Sequence, residues 1–201
     1  KLATTATQAG DIAEEIGYPV VMKVFSQQIL HKSEAGGVKI KLKSRADVEK
    51  GFADIMASAT AYAPEAVIDG VLVQKMAPEG EEVILGVNRH PGFGHLIMFG
   101  LGGIYVELFK NVVFRLAPVC RNNARRMIRS INGYEMLTGF RGRPVADIEQ
   151  IEKLLVGLSQ LVTDNPEIKE LDINPLFVHP EGRGATMADL IVTLEPEGDH
   201  E

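Results

Sequence analysis

Three side chains with oxygen ligands lie close together near the carboxyl end of the chain, in segments expected to be strands. Asp172 and Asn174 are separated by one residue, and Asp189 belongs to the next apolar segment. Side chains at positions i and i+2 of a strand share one face, which Asp189 can join if the two strands pair. Oxygen ligands of this kind suit Mg²⁺ beside nucleotide phosphates. The spacing also fits an arrangement without a metal site, in which Asn174 forms a turn before Pro175 and the two aspartates are solvated.

Two basic side chains inside apolar segments are candidates for binding an anion. Lys23 lies at the end of the β-favouring run 20–24, and Arg115 lies between Phe114 and Leu116. A lysine among buried β-branched residues needs an anionic partner, and a guanidinium can hold a phosphate through two hydrogen bonds. The alternatives are a Lys23 that extends to solvent and an Arg115 that pairs with one of the many acids.

A glycine cluster at residues 100–103 follows an apolar strand and would let the backbone approach an anion closely. The cluster contains Gly102 and Gly103 but has neither the ending of a P-loop nor the GxGxxG spacing of a dinucleotide site. Taken alone, these glycines favour a tight turn over an anion site.

His31 is the histidine with the most suggestive surroundings. It lies in a polar segment beside Lys32, three residues before Glu34, and the pair Gly36 and Gly37 follows. A neutral imidazole can act as a nucleophile, and glycines would let such a loop move between sites. The alternative is a loop histidine without a chemical role.

The overall composition limits the classes of partner. The 201 residues include 21 basic and 27 acidic side chains, a net charge of −6. This balance argues against nucleic acid and anionic membranes as partners of a general basic surface. The single cysteine, Cys120, excludes an internal disulfide, and no apolar run reaches the roughly 20 residues of a membrane span. We therefore expect a cytoplasmic protein of one large domain or two small ones.

Hydrophobic periodicity predicts an α+β fold. Helical spacing indicates four helices, at residues 8–16, after Ser44, at 123–131 and at 147–162. Apolar runs and alternation indicate strands at 20–24, 38–42, 67–75, 82–87, 96–99, 112–116, 171–177 and 185–194. The turn at residues 77–80 is the expected hinge between two α+β units.

Six segments in order together resemble the ATP-grasp domain of ADP-forming (NDP-forming) acyl-CoA synthetases. These are acetate–CoA ligases related to the β subunits of succinyl-CoA synthetases. The segments are IGYPVVMK (16–23), ILHKSEAGGV (29–38), VLVQKMAPEGEEVILGV (71–87), MFGLGGIYVE (98–107), FRLAP (114–118) and ELDINPL (170–176). The resemblance extends from about residue 11 to residue 194.

The resemblance implies an ATP-grasp fold, in which two α+β lobes with mixed or antiparallel sheets surround a nucleotide cleft. The first lobe would be residues 1–76, without its usual beginning, and the second residues 77–201. ATP or ADP and Mg²⁺ are the implied cofactors. The implied nucleotide residues are Lys23 for the phosphates, the backbone of Val73, Gln74, Lys75 and Met76 for adenine, Glu82 for the ribose or lobe closure, and Gly102 and Gly103. The implied Mg²⁺ ligands are Asn174 and Asp189, with Asp172 nearby.

The resemblance also implies a reaction, in which acid, CoA and ATP are interconverted with acyl-CoA, ADP and phosphate. His31 corresponds to a histidine that is proposed as a second phosphohistidine in two-subunit members of the family, the first being on the CoA-binding domain. Arg115 would offset charge on the transferred phosphoryl group. Acid and CoA would bind mainly on a CoA-binding domain or α subunit, so catalysis by this stretch alone is not expected.

The sequence departs from the family pattern at three places. Residues 187–191 keep Asp189 but lack the arginine that usually follows, Asn111 stands where aspartate is common, and His95 replaces a usual proline. A second interpretation is a regulatory or scaffold module, because some ATP-grasp-like domains fused to acetyltransferases have degraded nucleotide sites. A biosynthetic carboxylate–amine ligase is disfavoured, since such enzymes lack the HKSEAGG and FGLGG pair.

Overall fold

The computed structural model describes residues 1–103 and 111–195. The chain divides between Met76 and Ala77 into two compact units, Lys1–Met76 and Ala77–Glu201. Each unit has its own hydrophobic core. The last four residues of the MFGLGGIYVE segment, 104–107, lie outside the described residues.

The first unit is a four-stranded sheet with two helices packed on one face. Its elements are β1 (Leu2–Ala3), α1 (Ala6–Ile16), β2 (Val20–Phe25), β3 (Val38–Leu42), α2 (Arg45–Tyr62) and β4 (Gly70–Lys75). The strand order is β1-β4-β2-β3, and every neighbouring pair is antiparallel. The two-residue strand β1 was not anticipated from the sequence.

Local signals explain where the helices of the first unit begin and end. The Thr5 hydroxyl accepts a hydrogen bond from the Gln8 amide at 3.2 Å, and the Ser44 hydroxyl accepts one from the Asp47 amide at 3.2 Å. These bonds satisfy amides that have no partner within the helix. Helix α1 ends at Gly17, whose φ of 86° is readily adopted only by glycine.

Strand alternation places one face of this sheet in the core. Val20, Met22 and Val24 of β2 and Val71 and Val73 of β4 are fully buried together with residues of α1 and α2. The intervening side chains of β2 and β4 therefore lie on the face that points away from the helices.

The second unit is built on a larger antiparallel sheet. Its elements are β5 (Glu81–His90), β6 (Gly94–Leu101), β7 (Val112–Leu116), α3 (Arg121–Ser130), short 3-10 helices at Tyr134–Thr138 and Phe140–Gly142, α4 (Ile148–Asp164), β8 (Ile168–Val178), β9 (Ala185–Met187) and β10 (Leu190–Leu194). The strand order is β10-β8-β5-β6-β7, and β9 also pairs with β8. The core of this unit lies between the sheet and the helices α3 and α4.

The strand predicted at residues 185–194 is divided into β9 and β10. Ala188 and Asp189 form the break and lie opposite Pro175 and Asn174 of β8. Pro175 has no amide hydrogen, so the ladder lacks a hydrogen bond at this position. The Ala188 amide still donates to the Pro175 carbonyl at 3.0 Å, which keeps the segment beside β8.

A buried carboxylate joins α3 and α4 of the second unit. Glu152 on α4 is only 4% exposed. It accepts hydrogen bonds from Arg121 Nε at 2.9 Å and from Arg125 Nε at 2.7 Å, both on α3. The hydrogen bond from Arg125 is the main reason that the pKa of Glu152 lies below its ordinary value.

In the described ranges, no helix combines the length and the apolar character required to cross a bilayer.

We expect Glu152→Gln to lower the free energy of unfolding by about 2 kcal/mol at neutral pH, because it weakens charge-assisted hydrogen bonds at a buried site. The depressed pKa means that wild type loses this contribution as pH falls through the folded-state value. The difference between the two proteins should therefore shrink in acid. Urea denaturation at neutral and successively lower pH measures it.

The matched control is Glu149→Gln. Glu149 also contacts Arg121, at 3.0 Å, but both side chains are more than half exposed. An exposed pair contributes little, so we expect a loss below about 1 kcal/mol. Equal losses for the two variants would contradict the importance assigned to the buried carboxylate.

Candidate functional site

Lys23 lies in the middle of the first sheet, on the face away from the helices. It is opposite Leu72 of β4 and Val38 of β3, and it is 8% exposed. Gln74 is on the same face, opposite Val21. A charged amine in this setting is stabilised by anionic groups, which agrees with the proposed contact to phosphate.

The other residues of the predicted adenine segment are arranged differently. The Val73 side chain is fully buried on the helix side of the sheet. Its amide donates to the Lys1 carbonyl, and its carbonyl accepts from the Lys1 amine, each at 2.8 Å. The Met76 amide donates to the Pro19 carbonyl at 3.4 Å, whereas the Lys75 side chain is exposed. Both backbone polar groups of Val73 thus form hydrogen bonds within the sheet.

The segment that carries His31 is anchored on both sides of an exposed turn. Ile29 and Ala35 are buried in the first core, and the His31 side chain is exposed. The Ala35 amide donates to the His31 carbonyl at 3.3 Å, and the Val24 amide donates to the Gly37 carbonyl at 2.7 Å. The imidazole is therefore exposed to solvent on a turn whose two ends are held by buried side chains and backbone hydrogen bonds.

Gly36 and Gly37 have a steric role in this segment. Gly36 has a φ of 63°, and a Cβ on Gly37 would lie 2.4 Å from Val24 Cγ1 and 3.0 Å from the Lys32 carbonyl oxygen. The sequence interpretation assigned the two glycines to loop movement. The structure instead gives close approach and backbone conformation as the reasons for glycine at these positions.

A group of polar side chains lies on the face of the second sheet opposite to α3 and α4. Val83 and Leu85 of β5 and Ile173 of β8 are buried on the helix side. Alternation along the strands therefore places Glu82, Asp172 and Asn174 on the opposite face. The pairing of Gly86 with Asp172 supports this placement for Asp172, because residues directly opposite in antiparallel strands share a face. Asn174 lies at the register shift between the Val83 and Leu85 pairs, and its placement follows from its neighbour Ile173.

Gly102 and Gly103 pack directly against Glu82. The Gly102 amide donates to the Glu82 carbonyl at 2.7 Å. A Cβ on Gly102 would lie 3.1 Å from the Glu82 carbonyl carbon, and one on Gly103, whose φ is 61°, would lie 3.0 Å from Oε2 of Glu82. Glycine at these two positions thus avoids a Cβ packed against Glu82.

Asp189 is brought beside Asn174 by the break between β9 and β10. The Asn174 amide donates to the Asp189 carbonyl at 3.3 Å. The set formed by Asp172, Asn174 and Asp189 offers only oxygen ligands, two carboxylates and one amide, a combination that fits Mg²⁺ in the presence of phosphates. Within residues 1–103 and 111–195, no cluster of three or more His, Cys, Asp or Glu side chains is arranged to hold a metal ion.

Arg115 lies on the other face of the second sheet from this group. Arg115 lies on the edge strand β7 directly opposite Ile97, a residue of the helix-side core. Its neighbour Phe114, opposite Met98, is on the same face as Asp172 instead. The alternation of the strand therefore directs the guanidinium away from the carboxylates.

Asn111 and His95, two residues that depart from the family pattern, each form hydrogen bonds with the backbone. The Asn111 side-chain amide donates to the Asn132 carbonyl, and its oxygen accepts from the Asn132 amide at 2.9 Å. His95 is buried, and its Nε2 lies 2.7 Å from the Ile168 carbonyl oxygen. Both side chains hold backbone segments together.

One buried residue near the hinge was not recognised from the sequence. His179 Nδ1 lies 3.2 Å from the Glu79 carbonyl oxygen, a contact between residues 100 positions apart. No spacing or motif marks such a pair, because the two residues are brought together only by the arrangement of the second sheet.

Comparison with known proteins identifies relatives of almost the whole chain. A family model described as "ATP-grasp domain" matches residues 1–194. The β subunit of the ADP-forming acetate–CoA ligase II of Pyrococcus furiosus is 48% identical over 196 residues, which is 97% of this chain and 83% of the relative. The ADP-forming 4-hydroxybutyrate–CoA ligase of Nitrosopumilus maritimus is 47% identical over 193 residues, which is 96% of this chain but only 28% of the relative.

A solved structure has the same fold. The dinucleotide-forming acetyl-coenzyme A synthetase 1 of Ca. Korarchaeum cryptofilum, in complex with coenzyme A, Ca-AMPCP and HgCl+, superposes with a TM-score of 0.90. It is 42% identical, and the match covers 97% of this chain and 84% of that one.

We expect Gly37→Ala to destabilise the segment that carries His31, because its Cβ would overlap Val24 Cγ1. Overpacking of this kind lowers the free energy of unfolding by about 1–3 kcal/mol. The Val24 amide, which donates to the Gly37 carbonyl, should also exchange its hydrogen faster. Urea denaturation and amide hydrogen exchange measure the two effects.

The control is Gly157→Ala on α4, where a Cβ would meet no atom within 4 Å. Alanine favours a helix over glycine by up to about 1 kcal/mol, so this variant should be stabilised. Unchanged exchange of the Val24 amide in Gly37→Ala would show that the close contact does not restrain the segment.

Proposed function

We propose, on the premise that this chain belongs to the ATP-grasp domain family, that it is the nucleotide-binding part of an ADP-forming acid–CoA ligase. The reaction would be acid plus CoA plus ATP giving acyl-CoA, ADP and phosphate, or the reverse. The observation that carries the proposal is the group formed by Glu82, the glycines 102 and 103, Asn174 and Asp189. This group occurs in a chain that is 48% identical to a separate ligase β subunit.

The two compact units are assigned to the two lobes of the fold. In the first, the Lys23 ammonium would bind the nucleotide phosphates, since it is a buried cation on the helix-free face. Gln74, on the same face, and the backbone near Lys75 and Met76 would contact adenine. In the second, the Glu82 carboxylate would accept hydrogen bonds from the ribose hydroxyls.

The acid and amide group of the second unit would hold Mg²⁺. Asn174 and Asp189 would supply side-chain oxygens, with Asp172 close to them on the same sheet. When bound, Mg²⁺ offsets the negative charge that develops on phosphoryl oxygens during transfer. The nucleotide analogue and divalent cation named for the solved relative support the assignment.

His31 would carry the phosphoryl group. A neutral imidazole nitrogen has a lone pair that can attack phosphorus, and the exposed turn leaves this nitrogen accessible. The phosphoryl group of an acyl phosphate, whose carboxylate leaves, would pass first to a histidine of the CoA-binding domain, then to His31, and finally to the terminal phosphate of ADP. Arg115 is not given a role in this transfer, because its strand position directs it to the other face.

Acid and CoA would be bound mainly by a CoA-binding domain or α subunit. The Pyrococcus relative is named as a subunit, and the Nitrosopumilus relative contains much more chain than the matched part. The two relatives are named for different acids although their identities to this chain are nearly equal. We infer that selection of the acid lies largely outside this stretch.

Wild-type protein is expected to bind MgADP in isothermal titration calorimetry, and Lys23→Met should weaken binding by about tenfold or more, because a buried cation is lost from the phosphate site. Lys39→Met is the matched control. Lys39 is on the neighbouring strand, but it faces the helices and contacts Asp54 at 3.8 Å. Absence of binding by wild type at millimolar nucleotide would favour a scaffold module.

With its cognate CoA-binding subunit and ATP labelled at the γ-phosphate, wild-type chain should acquire an acid-labile label. His31→Asn should lose the label, because asparagine has no ring nitrogen to phosphorylate. His90→Asn, a change at another exposed histidine, should retain it. Equal labelling of His31→Asn and wild type would exclude His31 as the carrier.

A further inference from the structure

His179 lies just after β8 and contacts two segments through its ring. Its Nδ1 is 3.2 Å from the Glu79 carbonyl oxygen, and its Nε2 is 2.8 Å from the Thr186 hydroxyl on β9. The side chain is 9% exposed, so both contacts are largely protected from water.

The partners of the ring determine where its proton is. A carbonyl oxygen can only accept a hydrogen bond, so Nδ1 must carry the hydrogen that is donated to Glu79. In the neutral ring Nε2 is then an acceptor, and the Thr186 hydroxyl donates to it. Thr186 thereby favours the tautomer that the contact with Glu79 requires.

The backbone of His179 is held equally firmly. Its amide donates to the Gly184 carbonyl, and its carbonyl accepts from the Asp147 amide, each at 2.9 Å. The Asp147 side chain caps α4 by accepting from Gln150 at 3.1 Å and also accepts from the Gly184 amide at 2.9 Å. The backbone that carries the imidazole is therefore hydrogen-bonded both to the start of α4 and to the turn at Gly184.

A second contact holds the same segment next to Glu79. A Cβ on Gly80 would lie 2.6 Å from the Val178 carbonyl oxygen, so the chain passes against the end of β8 at a distance that requires glycine. Residues 79 and 80 are thus fixed, one by a hydrogen bond to His179 and one by close packing on Val178.

We propose that His179 is a positioning residue for nucleotide binding. Only residues 77–81 separate Met76, assigned to adenine, from Glu82, assigned to the ribose. The hydrogen bond from His179 fixes residue 79, in the middle of this connection, and so supports the start of β5, the strand that carries Glu82. This inference rests on the proposed function, because it concerns the affinity for the same nucleotide.

The test uses the complete synthetase, the chain with its cognate CoA-binding subunit, and three variants. His179→Leu removes both hydrogen bonds of the ring. His179→Asn places a side-chain amide near the position of Nδ1 and keeps the donor to Glu79. His179→Gln extends its amide toward Thr186 and loses that donor, so the Asn and Gln variants separate the two contacts.

We expect the Leu and Gln variants to raise the Kd for MgADP and the KM for ADP about fivefold, which is the effect of losing one hydrogen bond. The kcat and the KM for acyl-CoA should remain nearly unchanged. His179→Asn should remain near wild type. Amide hydrogen exchange in residues 79–82 should accelerate in the Leu and Gln variants alone.

His95→Leu is the matched control, because His95 is another buried histidine of the second sheet whose ring contacts a backbone carbonyl. It should lower the melting temperature without changing the Kd for MgADP. If His179→Leu behaves in the same way, or if the Asn and Gln variants have equal affinity, the proposal is overturned. A wild type that does not bind MgADP overturns the proposed function and this inference together, whereas normal wild-type binding with unaffected variants overturns this inference alone.

Discussion

The pairing of β5 with β8 determines which side chains of the second unit meet. Leu85 is opposite Ile173, and Gly86 is opposite Asp172. This register places apolar side chains against α3 and α4 and places Glu82, Asp172 and Asn174 together on the opposite face. A shift of one residue would exchange the two faces of a strand. The burial of Leu85 and Ile173 under the helices therefore also specifies the position of the oxygen ligands.

Much of this arrangement follows from local sequence. Periodicity predicted α1 to α4 of the described residues, and the i, i+2 spacing predicted that Asp172 and Asn174 share a face, because both patterns depend on residues near one another in the chain. The strand at residues 38–42 was predicted with its observed bounds, since its alternation is strict and glycines precede it.

Other features depend on information that local pattern does not contain. The β7 sequence VVFRL is apolar on both faces, so alternation could not indicate the side on which Arg115 lies until the pairing with β6 was known. The division between β9 and β10 depends on Pro175 in the partner strand. The contact of His179 with Glu79 joins residues 100 positions apart and has no local signature. Candidate ligands were thus predictable by residue type, whereas their relative placement required the sheet register.

The Asn111 contact with Asn132 has a consequence for sequence variation. The amide satisfies both backbone groups of Asn132 because it offers a donor and an acceptor side by side. An ionised aspartate would place an oxygen against the Asn132 carbonyl, and two acceptors without a hydrogen between them repel each other. An ionised aspartate at position 111 can therefore keep the bond from the Asn132 amide but loses the one to the Asn132 carbonyl. Substitutions at this position and in the turn around residue 132 should consequently covary during evolution, although the two sites are 21 residues apart in the chain.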